Sequence, residues 1–148
     1  MKREFEIYLD SVGIAGPIKN RIGFILEDFE QICPQEINDI FISEFIKDDG
    51  TREYESLWFF SNLYVMEAKK FINEDDFDIS PIAKRISYFK ATKKEYRFGI
   101  ATDQSRLLLD FSTNLHVKCT LKASKTNCSE LWKIFLKYVK PNLIPISS

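Results

Sequence analysis

The sequence has few of the side chains that metal or histidine chemistry requires. It contains one histidine, His116, and three widely separated cysteines, none of them at the spacing of a zinc site: Cys33, Cys119 and Cys128. The acidic run around Asp75 lacks the residue order of a calcium-binding loop. We therefore expect no metal, no cofactor and three reduced, buried thiols.

Long apolar runs are also missing. No stretch approaches the roughly eighteen apolar residues that a membrane-spanning helix requires. Near the amino terminus, Glu6 and Asp10 interrupt the apolar residues, so we expect no secretory signal. The 148 residues are 45% hydrophobic and 29% charged, as in an ordinary folded chain. The length of the chain predicts a single domain, residues 1–148, and we expect the protein to be in the cytoplasm.

Hydrophobic periodicity predicts one helix near each end of the chain. Apolar residues recur at helical spacing after Pro17, which suits a first helical turn, and they predict a helix over about 17–33. Asn127 and Glu130 have the spacing of a helix cap and precede a second apolar stripe. This pattern predicts a carboxy-terminal helix over about 127–140.

Between these helices the period changes to two, which predicts strands over about 37–123. An Asp-Gly pair at 49–50 lies between two β-rich runs and predicts a hairpin. Alternation over 95–103 predicts a further strand whose dry face includes Phe98 and Ile100. The gaps between the strands are too short for crossover connections, so neighbouring strands are expected to be antiparallel.

The sequence therefore predicts an α+β fold. We expect a strongly bent antiparallel sheet or an open barrel of six or seven strands, covered by the two amphipathic helices. This order of elements resembles the pleckstrin-homology-like fold over roughly residues 36–140, with an added amino-terminal helix. The resemblance implies two consecutive antiparallel sheets followed by one carboxy-terminal helix.

A basic cluster in the segment KATKKEYR is the main candidate for a binding site. Pleckstrin-homology domains that bind phosphoinositides carry a basic cluster between their first two strands, with one residue between the last two cations. Here the cluster lies in a later hairpin and two residues separate Lys94 from Arg97, so no lipid role is carried over. The cluster could attract an anion or could be a solvated hairpin tip. With two outward lysines of a later strand, the candidate binding residues are Lys90, Lys93, Lys94, Arg97, Lys118 and Lys122.

Charge is distributed unevenly along the chain. Residues 1–83 hold 8 basic and 18 acidic side chains, whereas residues 84–148 hold 13 basic and 4 acidic ones. The net charges are therefore −10 and +9. An acidic and a basic side would favour association with a charged partner or head-to-tail self-association. Alternatively, the two halves neutralise each other through exposed ion pairs.

The sequence matches motifs of known catalytic sites only weakly. Ser87 and Lys90 match a Ser-x-x-Lys pattern, but they lie in a β-rich run and not on a helical turn. His116 is expected to point outward from a strand. We therefore expect a non-catalytic binding domain that recognises a protein partner. The alternatives are binding of anionic lipid through the basic hairpin and an unrecognised carboxylate-based enzyme, while the pI of about 5.9 opposes nucleic-acid binding.

Overall fold

The structure is a computed structural model that describes residues 1–47, 49–72, 78–81, 86–113 and 117–143. Helices lie at both ends of this chain, and strands occupy the middle. The elements are α1 (Arg3–Ser11), α2 (Gly16–Ile32), β1 (Asp39–Ile46), β2 (Arg52–Phe60), β3 (Tyr64–Lys69), β4 (Asp78–Pro81), β5 (Ile86–Arg97), β6 (Ile100–Thr113), β7 (Lys118–Ser124) and α3 (Asn127–Ile134). A π-helical turn, Phe135–Val139, and a 3₁₀ turn, Lys140–Asn142, continue α3. None of the helices in the described ranges is both long and apolar enough to cross a membrane.

The strands form two antiparallel sheets. Strands β1 to β4 pair in chain order in one sheet, and β5 to β7 pair in chain order in the other. The predicted α+β class with antiparallel strands is confirmed. Within the described residues no strand pairing joins the two sheets into a barrel, so the single bent sheet is not confirmed.

The edge strands β1 and β7 meet through side chains. The backbone N–H of Lys122 donates to the Ser43 hydroxyl (2.9 Å), and the backbone N–H of Ser124 donates to the Glu44 carboxylate (2.9 Å). A β-bulge makes this possible: the register shifts between Ser43 and Glu44, and β2 contributes one extra residue, Glu55. The bulge interrupts the regular alternation of the β1–β2 pair at the point where these two consecutive side chains both bond to β7. Side-chain oxygens of β1 therefore accept hydrogen bonds from β7 N–H groups that would otherwise pair with the backbone of a neighbouring strand.

Helix α1 was not predicted, and a buried hydrogen-bond network attaches it to the rest of the fold. The Tyr8 hydroxyl donates to Asn127 Oδ1 (2.8 Å) and accepts from the backbone N–H of Ile42 (2.9 Å). The Asn127 amide in turn donates to the Ile42 carbonyl (3.0 Å). The prediction that Asn127 caps α3 was therefore wrong, because its side chain connects α1 and α3 to β1. The helix follows Thr126 without a side-chain cap.

The two predicted helices lie where the periodicity placed them: α2 packs on the first sheet, and α3 packs mainly against β6 and β7 of the second sheet. Phe29 of α2 packs edge-on against Phe59, with ring centroids 4.8 Å apart. The neighbouring residue Phe60 points to the opposite face and stacks on Tyr138 of the π-helical turn at 5.0 Å. Large aromatic side chains contribute most to a core because each buries much apolar area. The carboxy-terminal helical segment begins at the predicted residue and runs to Asn142, beyond the predicted end.

The cysteines are free and buried, as the sequence predicted. Burial raises the pKa of the Cys119 thiol to about 12, with a smaller contribution from the nearby Glu67 carboxylate. Burial likewise raises the pKa of Cys128 to about 11. Both thiols are therefore protonated at neutral pH and behave as small apolar side chains rather than as nucleophiles.

Candidate binding surface

The basic cluster lies along a strand, so the expected hairpin tip was wrong. Residues 90–97 belong to β5, and the chain reverses two residues later, at Phe98 and Gly99. Both turn residues have positive φ, 54° and 74°, as the central positions of a tight type I′ hairpin require. The predicted strand over 95–103 is therefore interrupted, and Phe98 is 97% exposed instead of lying on a dry face.

Strand register decides which of the cluster residues share a face. The second sheet buries one face of β6, and the side chains of that face lie in the core: Leu107, Leu109 and Phe111. Lys90 is opposite Asp110 and Lys94 is opposite Arg106, and both of these β6 positions point away from the core. Since paired residues of neighbouring strands lie on the same side of a sheet, Lys90 and Lys94 both lie on the outer face.

Strand β7 adds two further predicted residues to the same face. Lys118 and Lys122 alternate with the buried Cys119 and Leu121, so they point outward. Arg106 of β6 lies on this face as well, although it was not among the predicted binding residues. These cations define the basic face of the second sheet: Lys90, Lys94, Arg106, Lys118 and Lys122.

The basic face carries little compensating negative charge. Asp110 is the one acidic side chain among the outward positions of β5, β6 and β7 that the structure describes, and it accepts a hydrogen bond from Thr120 (2.6 Å). Lys122 lies 3.2 Å from the carboxylate of Glu55, the extra residue of the β2 bulge. Lys94 and Arg106 are directly opposite each other, an arrangement of like charges that destabilises a sheet.

Two of the predicted residues lie elsewhere. Lys93 points to the other side of β5, where its ammonium lies 3.8 Å from the centroid of the Trp132 ring of α3. This cation–π contact binds β5 to the helix and withdraws Lys93 from the basic face. Arg97 is the last residue of β5 and borders the turn. The structure thus brings together four of the six predicted residues and separates the other two.

The turn is the most apolar exposed feature of the hairpin. We call residues 97–100 the tip: Phe98 is 97% exposed and Ile100 is 68% exposed. The base of the tip is held firmly, because Tyr96 is buried and pairs with Ala101. A shallow concavity of about 400 Å³ lies beside these side chains and is also lined by Glu95.

Hydrogen bonds fix the base of the tip. The buried Ser105 hydroxyl donates to the Glu95 carbonyl and accepts from the backbone N–H of Thr102 (2.7 Å). The backbone N–H of Lys125 donates to the Ser105 carbonyl (3.1 Å), which connects the hairpin to the turn before α3. The tip is therefore presented on an ordered support.

An acidic cleft lies between α1, β1 and α3. It has a volume of about 340 Å³, and we call it the α1 cleft; its lining includes the exposed residues Glu4, Ile7 and Ser11 and the half-buried residues Asp39 and Glu130. Asp39 accepts hydrogen bonds from Lys137 (2.8 Å) and from the Tyr138 hydroxyl. Burial and the hydrogen bond to Asp39 raise the pKa of Tyr138, so this phenol stays protonated.

The described residues offer no catalytic constellation. No three of their histidine, cysteine, aspartate and glutamate side chains are placed to hold a metal ion. Ser87 and Lys90 lie on strand β5, so the Ser-x-x-Lys pattern does not occupy a helical turn. The expectations for His116 and for most of the acidic run around Asp75 fall outside the described residues.

Comparisons of the chain with family models, with characterised proteins and with solved structures find no match. The resemblance to the pleckstrin-homology-like fold therefore stays a prediction. Function has to be inferred from three surfaces of the molecule itself, namely the basic face, the tip and the α1 cleft.

Proposed function

We propose that this protein is a non-catalytic binding domain that recognises the acidic surface of a protein partner through its basic face. The observation that carries the proposal is the concentration of five cations beside one acidic residue, Asp110, among the outward positions that the structure describes in this sheet. A field of one sign steers an oppositely charged partner and fixes its orientation.

The opposition of Lys94 and Arg106 supports this proposal further. Like charges directly opposite in an antiparallel pair reduce stability, by an amount of the order of 0.2–1 kcal/mol. The Arg106 guanidinium does not bind an acid here; it donates to the carbonyls of Asp103 (3.2 Å) and Ser105 (2.7 Å). A bound acidic side chain between the two cations would remove their repulsion, so the energy lost in the free protein would be recovered on binding.

The arrangement of the strands supports the pleckstrin-homology-like interpretation as part of the same proposal. A four-stranded sheet precedes a three-stranded sheet, and a helix follows the last strand. That helix packs against β6 and β7 and leaves their outward positions uncovered. A fold of this kind would present the basic face as a rigid platform.

Reversal of one charge tests the proposal, because Lys94→Glu should change stability and binding in opposite directions. The new carboxylate faces Arg106, so the free energy of unfolding should rise by about 0.5 kcal/mol. Capture of an acidic partner by the tagged protein should fall at least about tenfold, the effect of about 1.4 kcal/mol. Urea unfolding and quantitative pull-down at low and high salt measure the two effects.

The matched control is Lys140→Glu, which makes the same change of charge at an exposed position of the 3₁₀ turn after α3, outside the basic face. This variant should retain the partner. Equal capture by the wild-type protein and by Lys94→Glu would show that the basic face does not bind. If the tagged protein retained vesicles of phosphatidylcholine and phosphatidylserine but captured no protein, the partner would be a lipid surface and not a protein.

A further inference from the structure

The tip has a conformation that its sequence makes unfavourable. Phe98 has a φ of 54°, a region that bulky side chains rarely adopt and that Asn or Gly would occupy more easily. Its ring is also almost fully in water. The positive φ reduces the stability of the free chain, and backbone strain of this kind clusters at sites that bind another molecule.

The α1 cleft has complementary properties. It is lined by the exposed apolar side chain of Ile7 and by the carboxylates of Glu4 and of Glu130, the second of which also pairs with Lys133 (3.3 Å). Its volume of about 340 Å³ lies at the lower end of the range for ligand pockets, about 300–1,000 Å³, and is large enough for one aromatic ring. A cleft with an apolar base and carboxylates at its sides suits an aromatic side chain that has a cationic residue next to it.

We infer that the tip of one copy of this protein seats in the α1 cleft of a second copy. Phe98 would fill the cleft against Ile7, and the adjacent Arg97 would face Glu4 and Glu130. This contact covers two of the most exposed apolar side chains of the molecule with each other. It also places Arg97, from the basic half of one chain, beside Glu4, from the acidic half of the next, which the uneven distribution of charge favours.

The surfaces that meet in this contact are different on the two copies. Such contacts either build a chain or ring of copies, or form a pair in which each tip enters the other's cleft. The inference is independent of the proposed function, because neither Phe98 nor Ile7 belongs to the basic face. Loss of partner binding and loss of self-association can therefore be observed separately.

Light scattering on the purified chain tests the inference. The average mass of the wild-type protein should rise above 17.4 kDa as concentration increases to about 1 mM, where weak contacts form. Phe98→Asn should weaken self-association at least about tenfold, since truncation of a central aromatic anchor commonly has this effect. Asparagine suits the turn, so this variant should fold. Ile7→Gln should weaken self-association in the same way from the side of the cleft.

Mixing the two variants distinguishes this specific contact from non-specific self-association. Phe98→Asn keeps an intact cleft and Ile7→Gln keeps an intact tip, so together they should form a complex that neither forms alone. The control is Phe24→Gln, which removes another exposed ring (67%) from α2 and should leave self-association unchanged. The inference is overturned if the wild-type chain keeps a single-chain mass at about 1 mM, or if the mixture does not associate. Binding of the tip to phosphatidylserine vesicles without a change in mass would overturn it as well.

Discussion

Removal of the Tyr8 hydroxyl should destabilise the protein strongly although it deletes a single atom. The hydroxyl donates to Asn127 Oδ1 at 2.8 Å and accepts from the N–H of Ile42 at 2.9 Å, in a buried position between α1, β1 and α3. In Tyr8→Phe the ring remains, so almost no apolar contact is lost. The Ile42 N–H and the Asn127 carbonyl oxygen, however, lose their partner where water cannot replace it.

The magnitude follows from these two groups. A buried polar group left without a partner costs about 1–3 kcal/mol. The hydroxyl itself no longer has to be desolvated, which offsets part of that loss, and the hydrogen bond from the Asn127 amide to the Ile42 carbonyl remains. We expect the free energy of unfolding to fall by about 3 kcal/mol, a large fraction of the 5–15 kcal/mol of a typical domain.

Urea unfolding, followed by the fluorescence of Trp58 and Trp132, measures this loss. The matched control is Tyr54→Phe. The Tyr54 hydroxyl donates to the Val12 carbonyl at 2.7 Å, but that carbonyl also accepts from Arg52 at 3.0 Å and would keep a partner. The control should lose less than about 1 kcal/mol. Equal losses in the two variants, or a loss below about 1 kcal/mol in Tyr8→Phe, would refute the reasoning.

Two further effects on stability follow from the buried thiols and from the tip. The pKa of Cys119 is about 12 in the folded chain, so above pH 9 the unfolded state releases a proton that the folded state keeps. Cys119 alone should therefore lower the free energy of unfolding with rising pH by up to about 1.4 kcal/mol per unit, and urea series between pH 8 and 10.5 should show a shallower fall for Cys119→Ala. Phe98→Asn should raise the free energy of unfolding by about 1 kcal/mol, because asparagine accepts positive φ in this turn; an unchanged or lower value would contradict the strain at Phe98.

Periodicity predicts those elements whose apolar faces are long and regular. Helix α2 and the β1–β2 hairpin belong to this class. The strands that lie at their predicted positions are those in which apolar and polar residues alternate. Helix α1 is only nine residues long, and a helix of that length is marginal without tertiary contacts. Its apolar residues Phe5, Tyr8 and Leu9 do have helical spacing, but its position depends on the contact of Tyr8 with Asn127, which is 119 residues away in sequence.

The candidate site was predictable only where strands alternate without interruption. Lys118 and Lys122 lie on the regular strand β7, and their outward orientation follows from a period of two. In β5 the register shifts between Lys94 and Tyr96, which ends the alternation just before the turn. A bulge of this kind has no reliable signature in a single sequence, and Phe98 is an unexpected residue at a position of positive φ.

The basic face separates residues that support the fold from residues that are free to bind. Lys122 belongs mainly to the fold, because its N–H bonds to Ser43 and its ammonium lies beside Glu55, so a change there would disturb the contact between the two sheets. Lys90 and Lys94 are exposed on β5, and the repulsion between Lys94 and Arg106 means that removing a charge there does not weaken the fold. A loss of binding in Lys94→Glu can therefore be attributed to the surface itself, whereas the same loss in a Lys122 variant could arise from a displaced sheet.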